Sequence, residues 1–134
     1  MSVIDFYFDF LSPYGYLAAA RIESVAARHG RAVRWRPFRL GVAVVKVMGL
    51  RPNMETPLKA PYILRDIARL AKVLDLPLAP PPGLPNPLPP AQLFYAAPEA
   101  RHQNWPRRYF GPTGRRDTTS AIWRIWFASR PPSA

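Results

Sequence analysis

Residues 3–30 read VIDFYFDFLSPYGYLAAARIESVAARHG, and the change of rhythm inside this stretch decides the fold. Val3 to Phe10 is an apolar run broken only by Asp5 and Asp9, with aromatic side chains at both parities. Such a run suits a strand buried on both sides, in the middle of a sheet. Ser12 and Pro13 then start a helix. Serine supplies a capping oxygen, and proline at the first helical position gives up only an amide that would be unpaired anyway. Beyond them Tyr14, Ala18, Ile22, Val25 and His29 recur at steps of three and four, which predicts a helix with these residues on its inner face. Gly30 is placed to close it in a left-handed cap, and His29, in the last turn, compensates the helix dipole or packs.

Val33, Trp35 and Pro37 alternate with Arg34 and Arg36, a period of two that predicts a strand near a sheet edge with one wetter face. Strand, helix, strand makes a βαβ unit with parallel strands. Its ligand end lies beyond the first strand, at Leu11-Ser12-Pro13-Tyr14. GVAVVKVMG is a short apolar segment closed by Gly49, and RPNMETP is a loop. Thr56-Pro57 repeats the cap-plus-proline device before a second, amphipathic helix. Tyr62, Ile63, Ile67, Leu70, Ala71 and Leu74 are expected inward on it, with Lys59, Arg65, Asp66, Arg69 and Lys72 mostly outward.

The composition changes near Leu78. Of 18 prolines and four tryptophans, most follow that point, where arginine replaces lysine entirely. The expected organisation is therefore residues 1–78 as the ordered part and residues 79–134 as a Pro/Arg/Trp-rich irregular tail. Three readings of the tail stand: a basic aromatic arm for nucleic acid, a disordered linker, or translation out of frame in GC-rich DNA.

The whole chain has 134 residues, enough for one shared core, and its 19 Lys and Arg against 8 Asp and Glu give +11. That charge favours anionic partners. With no cysteine, a disulfide scaffold, a thiolate metal site and redox chemistry by the protein's own sulfur are all excluded. Asp5 and Asp9 stand where a secretory leader carries basic residues, and no apolar stretch approaches the roughly 18 residues of a membrane span. A cytoplasmic chain with no membrane partner is expected.

The string FYFDFLSPYGYLAAARIE resembles the start of the 2-hydroxychromene-2-carboxylate isomerases and the related kappa-class glutathione transferases. A second block resembles the same families: Lys46 and Gly49, then a proline-containing loop, then Pro57, Lys59, Tyr62, Asp66, Ile67 and Arg69 at the family spacing. Together the blocks cover about residues 3–78.

The resemblance implies a DsbA-like, thioredoxin-like α/β fold with a helical insertion, its C-terminal half missing or replaced here. It implies glutathione as cofactor, no metal, an aromatic carboxylate as substrate, and a possible homodimer. Ser12 matches the family's catalytic serine. Ser12, Pro13, Tyr14 and Lys59 are the expected glutathione contacts, and Lys46 and Tyr62 the expected substrate contacts. A hydroxyl bonded to a thiolate contributes about 1.5 to 3 kcal/mol and a helix terminus roughly 0.3 to 1. Together these lower a thiol of pKa about 8.5 by roughly 2 units. The implied reaction converts 2-hydroxychromene-2-carboxylate to trans-o-hydroxybenzylidenepyruvate in aromatic-hydrocarbon breakdown. A glutathione transferase on other electrophiles is the rival enzyme, and a basic nucleic-acid-binding protein the rival of another class. Read without the resemblance, Ser12 is a helix cap, Lys46 and Lys59 are solvated charges, and Tyr62 is a core residue. The family's later strand with a cis-proline and its terminal Gly-x-Asp-Arg string have no match after Leu78.

Overall fold

The computed structural model describes residues 2–78 and 86–102. The strand β1 (Val3–Phe8) and the strand β2 (Ala32–Pro37) pair in parallel, with Val3 opposite Ala32 and Phe8 opposite Pro37. Helix α1 (Pro13–Arg28) connects them, which completes the expected βαβ unit. After β2 come a π-helical turn (Val42–Val47), a short 3₁₀ turn (Asn53–Glu55) and helices α2 (Lys59–Val73), α3 (Leu88–Ala96) and α4 (Glu99–His102).

The sheet has one dry face among the described residues. Along β1, Val3, Asp5 and Tyr7 are exposed while Ile4, Phe6 and Phe8 turn inward, so the expectation of burial on both sides is corrected. The outer face holds Asp5 bonded to Arg34 at 2.7 Å and Arg36 at 3.2 Å, and Tyr7 edge-on to Phe38. Along β2 the predicted alternation stands: Trp35 and Pro37 are buried and Arg34 is exposed.

Helix α1 lies on the inner face, but rotated from its expected phase. Pro13, Tyr16, Leu17, Ala19 and Ala26 are buried, whereas Tyr14, Ala18 and His29 are exposed. The first half of α1 is Tyr, Leu and Ala on nearly every side, so periodicity alone leaves its rotation open. Its closure at Gly30 is as expected: φ is +61°, and Gly30 and Arg31 donate to the carbonyls of Ala27 and Ala26 at 3.0 Å.

Aromatic side chains knit the core. Trp35 stands edge-on to Phe6 and Phe8 at centroid distances of 5.1 and 5.6 Å, and Phe8 meets Phe10 at 5.1 Å and Phe94 at 6.5 Å. Ile67 and Ala71 of α2 complete it. Phe94 lies on α3 and is fully buried. Ordered packing therefore extends past the composition change at Leu78, and the irregular tail expected from residue 79 is corrected over residues 88–96. Proline does not prevent this helix because Pro89 and Pro90 fall in its first turn, where their missing amides cost nothing. Residues 103–134, on which the three readings of the tail bear, lie outside the described residues.

The start of α2 also differs from its expected cap. Leu58 holds the cap position with no capping side chain, and the Thr56 hydroxyl turns back to donate to the Pro52 carbonyl at 3.2 Å. The 3₁₀ turn ends at Thr56, so that hydroxyl closes the turn and α2 begins three residues later. Among the described residues no helix is long and apolar enough to cross a membrane, and no group of His, Cys, Asp and Glu could hold a metal ion.

Candidate functional site

The C-terminal end of the sheet gathers the loop after β1, the loop after β2 and the head of α1. Asp9 ties the two loops together. It is 2% exposed, and its carboxylate accepts the amide of Leu11 at 2.7 Å on one oxygen and that of Leu40 on the other. A buried carboxylate satisfied by two backbone donors is a rigid fixture. Ser12 follows directly, its own amide donating to the Asp9 carbonyl at 3.0 Å.

Ser12 caps α1 as predicted. Its Oγ accepts the Gly15 amide at 3.0 Å, and Pro13 occupies the first helical position. The approach is close three residues on: a Cβ on residue 15 would stand 3.1 Å from the Ser12 Cβ, so Ser12 would have to give by a few tenths of an ångström. The cap uses a lone pair of Oγ and leaves its proton unspent: among the described residues no acceptor takes the Ser12 hydroxyl hydrogen. A half-buried hydroxyl proton at the positive end of a 16-residue helix can be given to an anion.

Tyr14, expected on the inner face, instead reaches across to α2. Its hydroxyl donates to Asp66 Oδ2 at 2.8 Å, and Arg69 donates to Asp66 Oδ1 at 2.6 Å. Burial, then the bond to Asp66 and its charge, push the Tyr14 phenol up to about 12. Arg69 first and Tyr14 second hold the Asp66 carboxyl below its ordinary value. Asp66 was expected outward on its helix; its side chain is only 14% exposed because Tyr14 and Arg69 cover it. Sequence spacing makes the Asp66–Arg69 pair readable at i, i+3, whereas no local signal joins Tyr14 to a residue 52 positions away.

Tyr62 sits one turn after Lys59 on α2 and is 60% exposed, so its reading as a core residue is corrected. With Arg65, Asp66 and Arg69 it lines a shallow open depression of about 170 Å³. Lys59 is exposed at the first position of α2, and Lys46 is exposed in the π-helical turn. The structure thus brings Ser12, Pro13 and Tyr14 to one helix head, and joins Tyr14 to the face of α2 that carries Asp66 and Arg69. No hydrogen bond or ion pair among the described residues links Lys46 or Lys59 to them.

A parallel βαβ unit with a serine-capped helix at the C-terminal end of its sheet and helices after β2 is the arrangement of a thioredoxin-like fold, here in a chain with no cysteine. The family model for the DSBA-like thioredoxin domain matches residues 3–111, and the chain belongs to that family. It is 42% identical over 80 residues to glutathione S-transferase kappa 1 of Caenorhabditis elegans, covering 59% of this chain and 35% of that protein. It is 34% identical over 77 residues to the 2-hydroxychromene-2-carboxylate isomerase of Pseudomonas putida, covering 57% and 38%. The solved structure of a 2-hydroxychromene-2-carboxylate isomerase superposes with a TM-score of 0.64 at 28% identity, covering 81% of this chain and 56% of that one. The matches span little more than a third of the curated relatives' lengths.

Proposed function

We propose that this chain carries the glutathione-binding end of an isomerase that interconverts 2-hydroxychromene-2-carboxylate and trans-o-hydroxybenzylidenepyruvate. One observation carries this reading: the Ser12 hydroxyl, already fixed as a cap acceptor, keeps a proton to donate at the head of α1. The residues present suit a thiolate there, since the chain has no sulfur of its own at this place and offers a donor and a helix terminus in its stead. Bound glutathione would supply the sulfur nucleophile: once the hemiketal opens, its ring C–O bond breaking as the hydroxyl proton passes to the phenol oxygen, the thiolate would add to the open enone, allow rotation about the resulting single bond and be expelled as the double bond re-forms.

The chain's part is to bind and orient. Ser12 donates to the sulfur and favours its ionised form. Pro13 and Tyr14 shape the wall beside it, and Lys59 is free to meet a glutathione carboxylate. Lys46 and Tyr62 are assigned to the substrate, the lysine to its carboxylate and the phenol to an oxygen. Ser12→Ala removes the donor, and the thiol pKa of bound glutathione is expected to rise by about 1 to 2 units, the worth of one charged hydrogen bond. Thiolate ultraviolet absorbance titrated against pH reads this directly, and an unchanged titration removes Ser12 from the mechanism.

A kappa-type glutathione transferase acting on other electrophiles is the second reading. It is favoured by 42% identity to the kappa relative against 34% to the isomerase. Assays of both reactions on one preparation separate the two, because a transferase consumes glutathione and an isomerase returns it.

A further inference from the structure

Two of the hydroxyl groups near the head of α1, those of Ser12 and Tyr14, are in opposite states. The Ser12 proton has no acceptor among the described residues, whereas the Tyr14 proton is committed to Asp66 at 2.8 Å. Asp66 is itself held from the other side, by Arg69 at 2.6 Å, and its side chain is only 14% exposed. A phenol whose hydrogen is taken has only lone pairs to offer a ligand.

We propose that Asp66 is a positioning residue for glutathione: by holding the Tyr14 proton it presents the Tyr14 oxygen as an acceptor for an ammonium or amide N–H of the tripeptide, leaving Ser12 to donate to the sulfur. This rests on the glutathione reading of the site. It assigns two different contacts to adjacent residues of one helix turn, one for sulfur and one for peptide nitrogen. Arg69 keeps Asp66 charged and fixed, so the acceptor state of Tyr14 is built by α2 and read out on α1. The raised phenol pKa of about 12 accords with a proton that stays on Tyr14 throughout the neutral range.

The test is a double-mutant cycle on binding of glutathione and of S-methylglutathione, measured by calorimetry on the full chain. Asp66→Ala frees the phenol to rotate, and affinity for both ligands is expected to fall about 10-fold, the worth of one hydrogen bond to a charged group. Tyr14→Phe is expected to fall as far, and Asp66→Ala in that background to add nothing. Asp66→Asn, which keeps an oxygen for the phenol, is expected to recover most of the affinity although its ion pair with Arg69 is gone. A merely structural role for Asp66 moves the melting temperature without this recovery.

Unchanged binding in Asp66→Ala, or a loss that repeats in full in the Tyr14→Phe background, overturns the proposal. Should Asp66→Ala fail to fold, Tyr14→Phe and Asp66→Asn still decide: equal affinity of Tyr14→Phe and wild type overturns it. Failure of the underlying reading looks different. There the wild-type chain itself binds neither ligand, whereas failure of the Asp66 proposal leaves wild-type binding intact and sensitive to Ser12→Ala for glutathione alone.

Discussion

Ser12 uses one oxygen for two purposes, and the geometry keeps them separate. Its lone pair closes the first turn of α1 through Gly15, and its hydrogen is left for a ligand. Tyr14, two residues on, is the reverse case, with its hydrogen taken by Asp66. That bond has a pH signature. A phenol ionises near 10 when unfolded and at about 12 in place, so the folded state binds more protons between those values. The stability linked to this shift, which burial and then the bond to Asp66 produce, is therefore complete below pH about 10 and is lost as pH rises toward about 12. Phenolate absorbance is expected to include a tyrosine titrating at about 12, and in Asp66→Ala that component is expected to move back toward the ordinary range while Tyr16 and Tyr95, raised by their own burial, keep their titrations. A Tyr14 titration that ignores Asp66→Ala contradicts the bond.

The elements show how similar ends are built from unlike residues. Both α1 and α2 close with a left-handed residue followed by paired back-bonds to the last turn. Gly30 does this at φ +61°, and Asp75 at φ +52°. After α2, Asp75 donates to Lys72 at 3.3 Å and Leu76 to Ala71 at 2.9 Å, the same pairing that Gly30 and Arg31 make after α1. Aspartate pays a steric penalty in this conformation that glycine does not. Asp75→Gly is expected to stabilise the chain by about 0.5 to 1 kcal/mol, read from urea unfolding curves. No gain, or a loss, means that the Asp75 side chain contributes more than its backbone conformation costs. Where α2 begins, Thr56-Pro57 carries the residue types of a cap without serving as one, because the preceding 3₁₀ turn takes the hydroxyl.

At the scale of the molecule, α3 reports whether the region beyond Leu78 shares the core. Phe94 is fully buried, meets Phe8 edge-on at 6.5 Å and belongs to the same core cluster as Trp35 and Ile67, a cluster that spans β1, β2, α2 and α3. Phe94→Ala is expected to cost about 3 to 5 kcal/mol, and the gentler Phe94→Leu about 1 to 2, in one cooperative transition followed by circular dichroism. A small change, or a separate early transition, marks α3 as an appendage. The connection from β2 to α2 is the apolar part of the surface: Val47, Met48, Leu50 and Leu58 are all more than half exposed there.

Much of this was legible locally. The βαβ order, the Ser12-Pro13 start of α1, the Gly30 closure, the inward Trp35 and the Gly49 turn at φ +65° follow from residue period and backbone preference, which act over a few positions. What depended on packing was not legible. The rotation of α1 was open because its first half is apolar on most sides, and the partner of Tyr14 lies on another helix. Phe94 sits in a proline-rich stretch whose composition suggests no order, yet it is fully buried and meets Phe8 edge-on at 6.5 Å. Capping and periodicity, which are short-range, set the βαβ unit and the existence of α2 and put a serine hydroxyl at the head of the first helix, but they did not set α3. Only the tertiary structure decided which hydroxyl keeps its proton, because that depends on a carboxylate brought from 52 residues away.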